Sequence, residues 1–135
     1  MIFREATQED LEYMAEHSIN RTVDRKQMER VDYIFTLEHD GNILGIGGFR
    51  MIIPTTAWVW VDLSEYGVKH LRDSYRVMQE WMETFVNTHK IVRLQAFVKN
   101  EVKHIRLVQH LGFERESTME KFYGDDDGFM YKRCF

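Results

Sequence analysis

Hydrophobic and polar positions alternate along this chain in two rhythms, one of strands and one of helices. Ile2-Phe3-Arg4-Glu5-Ala6 reads as a short strand. Thr7 follows as a helix N-cap, with Asp10 placed as the capping-box acid, and Leu11, Met14, Ala15 and Ile19 recur at helical spacing. A weaker helix is expected from about Asp24 to Arg30, with Met28 and Val31 inward; an ordered loop is the alternative. Tyr33 to Leu37 is β-rich, and Asp40-Gly41 is a hairpin turn signal because both positions tolerate positive φ. Ile43 to Ile53 is the returning strand, whose Gly45, Gly47 and Gly48 point to a bulge or to close packing against the backbone. Pro54-Thr55-Thr56 breaks it.

Ala57-Trp58-Val59-Trp60-Val61-Asp62 is nearly all apolar, as expected of a central strand covered on both faces. Leu71, Tyr75, Met78, Met82 and Phe85 then mark the inner stripe of a long helix from about Lys69 to Val86, ended by Asn87-Thr88-His89. Val92 to Val98 is a second buried-type strand. A helix from about Glu101 to Leu111 closes on Gly112 at its C′ position. Thr118 to Tyr123 and Phe129 to Phe135 form a hairpin across Asp125-Asp126-Asp127-Gly128. The order is β-α-(α)-β-β-β-α-β-α-β-β, a mixed α/β domain with residues 57–98 as its parallel crossover.

Composition narrows the classes. A chain of 135 residues matches a single domain spanning 1–135, and 44% hydrophobic residues with 9 Phe, 6 Tyr and 3 Trp fill a core without disulfides or metals. No run of 18 apolar residues predicts a transmembrane helix, and the first residues do not read as a signal peptide. The net charge of −4 argues against a broad grip on nucleic acid. Cys134 is the one cysteine and is expected to be a buried or half-buried strand residue in a reducing cytoplasm. The six histidines show no His-x-x-x-His pair, and contiguous aspartates do not make a calcium loop, so no metal site is expected. The aspartate run reads as a solvated turn. Trp58 and Trp60 alternate with Val59 and Val61, so each pair faces one side of the sheet. Core packing is their default role, and stacking on a substrate is the alternative.

Three stretches carry a family likeness: Ile2-Phe3-Arg4-Glu5-Ala6-Thr7 with Asp10-Leu11, Asp40-Gly41-Asn42-Ile43-Leu44-Gly45, and His104-Ile105-Arg106-Leu107 with Leu111-Gly112-Phe113. Taken in order, they resemble the GNAT superfamily (Gcn5-related N-acetyltransferases) over the whole chain, and especially small bacteriophage GNAT-like proteins, including an internal virion protein of short-tailed phages. The resemblance implies a GNAT-like fold in which parallel strands near 58–62 and 92–98 splay at their C-terminal ends. It implies acetyl-CoA as cofactor and acetyl transfer to an amine on a small molecule or protein. It also implies a host-cytoplasmic or virion location and a possible homodimer.

Residue by residue, the likeness places the pantetheine of acetyl-CoA between the strand ends at Val61–Leu63 and Val98–Asn100. The family's signature Gln/Arg-x-x-Gly-x-Gly/Ala cradles the pyrophosphate; here the matching stretch is Ser64-Glu65-Tyr66-Gly67-Val68-Lys69. Gly67, Val68, Lys69 and Arg72 are therefore the expected phosphate contacts, and Asn100 and Arg106 complete the cofactor set. A β-branched residue at Gly67 is expected to fill the cradle and to strain a positive φ. Asp62, at a strand end, is a candidate general base acting through water, with loop capping as its structural alternative. Counting from His104, Val108 occupies the place of the family's proton-donating tyrosine. His104 is then expected either to bond across the groove and fill the cofactor's path, the case the altered signature favours, or to turn aside and act as the missing proton donor. The alternative function is a non-catalytic GNAT-fold phage protein, either a virion component or a host-directed binding module.

Overall fold

The structure is a computed structural model that describes residues 2–19 and 32–135. The helix expected at 24–30 lies outside the described residues. In chain order the elements are β1 (Phe3–Glu5), α1 (Gln8–His17), β2 (Tyr33–His39), β3 (Asn42–Ile53), β4 (Thr56–Leu63), α2 (Glu65–Lys69), α3 (Leu71–His89), β5 (Arg93–Lys99), α4 (Val102–His110), β6 (Glu114–Tyr123) and β7 (Asp126–Cys134). The seven strands make one sheet in the order β1-β2-β3-β4-β5-β7-β6. Neighbours are antiparallel except β4 and β5, which are parallel.

Local chemistry sets the boundaries. Thr7 Oγ1 accepts from the Asp10 N–H while the Asp10 carboxylate accepts from the Thr7 N–H, so the capping box closes as read. Asp40 and Gly41 both take positive φ at the β2–β3 turn, and Gly112 takes φ 85° at the C′ position of α4. The last hairpin is longer than expected, and its turn is tighter. Tyr123 pairs with Asp126, so Gly124-Asp125 forms the turn and the remaining aspartates belong to β7.

The larger core lies between the sheet and the pair α3 and α4. Phe49 of β3 stacks on Phe85 of α3 at 3.7 Å, and Trp81 fills the space left by Gly47, where a Cβ would strike the indole. The buried stripe of α3 is Ser74, Val77, Met78, Trp81, Met82, Phe85 and Val86. Met78, Met82 and Phe85 lie on it as expected, while Leu71 is exposed and Tyr75 half-buried, and Trp81 joins the stripe under β3. On the opposite face, α1 lays Met14 on Ile46, with Trp60 packed beside them. Ile19, expected on the inner stripe of α1, lies past the helix end and is exposed. Cys134 is also exposed, a correction to the expected burial, because it is the last residue of β7 and no helix among the described residues covers that end.

Candidate active site

The recorded pairing of β4 with β5 covers only Thr56–Arg93, Ala57–Leu94 and Trp58–Gln95. Beyond it β4 stays on β3 as far as Leu63, and β5 stays on β7 as far as Lys99. The two parallel strands therefore separate towards their C-terminal ends. Among the described residues, the segment Val59–Asp62 has a strand on one side only, and at Leu63 the end of α1 closes the other side. The segment's backbone N–H and C=O groups on the β5 side form an edge that an extended ligand can pair with.

The structure brings Val61 to that edge and Leu63 to its closed end. Val61 is half-buried and Leu63 is 5% exposed, its side chain part of the core. Asn100 follows β5 across the cleft and is exposed. Asp62 is buried on the α1 face, and Ser18 Oγ, at the C-cap of α1, donates to its Oδ2 at 2.6 Å. Here α1 reaches β4 directly: Ser18 bridges to Ser64, and the Ile19 N–H donates to the Leu63 carbonyl at 3.1 Å.

His104 sits half-buried on α4, on the other face of the sheet. Its partner is Glu101, the N-cap of α4, with Nε2–Oε2 at 3.8 Å. Among the described residues, no hydrogen bond joins His104 to Asn100 or to a strand-end carbonyl. Val108 is half-buried on the same helix, and Arg106 is exposed. The two candidate proton carriers, Asp62 and His104, thus flank the cleft from opposite faces of the sheet.

The positive φ expected at Gly67 is corrected. Gly67 is helical, without positive φ, and a Cβ there would strike the Leu44 carbonyl of β3. Its glycine identity serves the close contact of α2 with the sheet. The Gly67 N–H donates to Ser64 Oγ at 3.0 Å, the Val68 N–H to the Ser64 carbonyl and the His70 N–H to the Tyr66 and Gly67 carbonyls. Those donors are committed to the fold. The opening of α3 is different. His70 gives it no side-chain cap, so the N–H groups of Leu71, Arg72 and Asp73 head the helix, with exposed Lys69 and Arg72 beside them.

Sequence reasoning missed two features of the site's surroundings. One is the corner that holds α1 against the sheet. Arg4 makes two hydrogen bonds to Asp10, at 2.6 and 2.9 Å, and reaches Glu38 at 2.7 Å, while Thr36 Oγ1 donates to Asp10 at 2.8 Å. Burial works to raise the Asp10 carboxyl's pKa, but Arg4, Thr7 and Thr36 together outweigh it and hold the group well below the usual carboxylate range. The other is a row of rings beside the cleft, in which Trp58 lies 4.0 Å from Phe97, and Phe97 lies 4.8 Å from Phe122. Only the alternation of Trp58 hinted at it.

No protein-family model matches the chain, and no curated protein matches it. Solved structures do. A spermidine N-acetyltransferase SpeG from Vibrio cholerae, carrying the F149A substitution, matches with a TM-score of 0.79 at 14% identity, covering 99% of this chain and 95% of that one. Ard1 from Thermoplasma volcanium matches at 0.78 with 14% identity, covering 98% and 95%. A ribosomal-protein-alanine N-acetyltransferase from Brucella melitensis matches at 0.69 with 15% identity, covering 100% of each chain. A GNAT-family acetyltransferase from Bacillus anthracis matches at 0.72 with 15% identity, covering 98% and 93%. The element order, the splayed parallel pair and these matches over whole chains give this protein the fold of the GNAT acetyltransferases.

Proposed function

We propose that the chain is an acetyl-CoA-dependent N-acetyltransferase that acts on an amine. The observation that carries this reading is the parting of β4 and β5 after three residue pairs, which leaves Val59–Asp62 with an open edge inside a cleft, ended where the Ile19 N–H takes the Leu63 carbonyl. That edge fits an extended pantetheine with its amides, Val61 lying along it, Leu63 at its end and Asn100 across from it. The N–H groups at the head of α3, with Lys69 and Arg72, suit the phosphates, and exposed Arg106 stands on α4 on the same side of the sheet.

Acetyl-CoA supplies the acetyl group in activated form, as a thioester. The transfer forms an N–C bond to the amine and breaks the C–S bond. The strand edge and the cleft walls align the reactants, which lowers the barrier by proximity. Asp62 accepts the proton that the amine loses, through water, and Ser18 orients its carboxylate. His104 returns a proton to the departing sulfur from the opposite face. One proton enters the protein and one leaves it, so the cycle balances.

A thermal shift with acetyl-CoA tests the reading. At about 100-fold excess over its Kd, a ligand of the native state adds roughly 2.7 kcal/mol, a rise in Tm of roughly 10 °C for a domain of this size. No shift at millimolar acetyl-CoA overturns it. A second reading, a non-catalytic phage protein on the same fold, draws support from the committed N–H groups of Gly67, Val68 and His70. Acetyl-CoA binding without turnover on any amine would favour it.

A further inference from the structure

Among the described residues, the face of the sheet opposite α3 and α4 is covered in one half and bare in the other. Over β3 and β4, α1 covers Ile46 and Trp60. Over β5, β7 and β6 no helix packs among the described residues. Near the start of β5 this bare half is sealed by charge: Arg93 grips Glu116 with two hydrogen bonds of 2.8 and 2.6 Å, and Lys132 lies 3.7 Å from Glu114 and 3.8 Å from Glu116. Towards the cleft rings take over, and past them Lys99, 3.4 Å from Glu101 and 3.9 Å from Asp126, bounds the row with charge again. Phe97 is 42% exposed, Phe122 46% and Tyr123 38%.

This ring row is built by the backbone. Lys121 takes φ 54° in a bulge of β6, and its N–H donates to Asp127 Oδ1 at 3.0 Å. The bulge turns Phe122 and Tyr123 over β7 at Gly128. A Cβ on Gly128 would come within 2.9 Å of the Tyr123 ring and 3.1 Å of Phe122. Because Gly128 has none, Phe122 crosses β7 and reaches Phe97, which rests in turn on Trp58. Trp58 is the last β4 residue paired with β5, and Phe97 is the second β5 residue past that pair. The row therefore begins where the cleft opens and continues outward on the face away from α4.

Its geometry selects a chemistry. Trp58 and Phe122 flank Phe97 at tilts of 33° and 37°, so the faces of Phe97 are taken and ring edges point outward. A bare ammonium prefers an open ring face. Ring edges instead receive the face of another ring. The patch is a few rings wide, bounded by ion pairs, and a stable dimer needs about 800 Å² on each partner.

We propose that the Trp58–Phe97–Phe122–Tyr123 row seats the aromatic group of an arylalkyl amine and so selects the acceptor. This rests on the acetyltransferase reading above. The amine then enters the cleft from the Asp62 face, while the cofactor's phosphates are held on the α3 side.

Calorimetric titrations test it, with phenethylamine, ethylamine, spermidine and acetyl-CoA each added to the full chain. Phenethylamine is expected to bind about 10-fold tighter than ethylamine, the gain for half-burying a phenyl group, and spermidine no tighter than ethylamine. Phe122→Ala and Gly128→Val should each remove most of that gain and leave acetyl-CoA affinity unchanged. Equal affinity for phenethylamine and ethylamine, or a phenethylamine preference that survives both substitutions, overturns the proposal. The two readings fail separately. Acetyl-CoA that binds without any aryl preference sinks the acceptor shelf alone. Acetyl-CoA that does not bind, beside phenethylamine that does, sinks the acetyltransferase reading and with it the shelf's role in choosing an acceptor.

Discussion

The two ends of the sheet use charge in opposite ways. At the corner of β1, α1 and β2, a carboxylate is buried: Asp10 is 5% exposed and accepts from Arg4, Thr7 and Thr36 at once. At the β6–β7 end, the charges lie on the surface and the rings beside them are half bare. Glu116 keeps 36% of its side-chain surface in water, and its pKa is lowered chiefly by the hydrogen bonds from Arg93. The first arrangement is over-determined, and it fixes α1, whose Ser18 touches Asp62 in the cleft. The second leaves apolar surface open to a ligand. Burying a charge with all its partners buys rigidity of position, while a surface ion pair is close to neutral in energy.

Removing the guanidinium at each end breaks this comparison most sharply. Arg4→Ala leaves the Asp10 carboxylate buried with only its Thr7 and Thr36 donors. The expected loss is about 2–3 kcal/mol, below that of a fully buried pair because Arg4 keeps a third of its side chain in water. That corresponds to a Tm lower by roughly 8 °C. Arg93→Ala should barely move Tm. Equal losses in the two melts would mean that the Asp10 corner is not the stronger lock.

Acid gives a second, smaller separation. The folded Asp10 carboxyl has a lowered pKa, so its stabilisation is present above the unfolded value of about 3.9 and is lost as pH falls towards the folded one. The urea midpoint of the wild type should therefore decline steadily below about pH 5. Asp10→Asn should start lower at neutral pH and decline less steeply. Parallel slopes for the two proteins would assign the acid sensitivity to other carboxylates.

Much of this architecture was legible where the determinant was local. The Thr7–Asp10 capping box, the Asp40-Gly41 turn, Gly112 at the end of α4 and the strand–helix–strand of 57–98 each rest on residues close in sequence, and each stands in the structure. Asp62 was placed correctly at a strand end by the same kind of reasoning. What escaped was long-range. Gly67 is needed because of a carbonyl at Leu44; at Gly47 the expected close packing stands, but its partner, the Trp81 indole, comes from far along the chain. No local pattern announces the Gly67 contact or names Trp81 as the partner of Gly47. Arg4, Asp10, Thr36 and Glu38 meet only once β1, α1 and β2 have their register. The ring row depends on a bulge whose φ is carried by a lysine, not by the glycine that usually marks such a turn.

That lysine supplies the finest test. A non-glycine residue in the left-handed region costs about 1 kcal/mol, and glycine removes the strain while adding backbone entropy to the unfolded chain. Lys121→Gly should therefore change stability by only a few tenths to about 1 kcal/mol, in the stabilising direction if the strain is the larger of the two. The glycine keeps the N–H that Asp127 accepts, so Phe122 should stay across Gly128 and phenethylamine affinity should be unchanged. Lys121→Pro removes that N–H and forces φ near −65°. It should straighten the hairpin, draw Phe122 away from Phe97 and abolish the aryl preference, while the Arg4–Asp10 corner keeps its acid profile. If Lys121→Pro retained the preference, the bulge would not be what holds the rings beside the cleft.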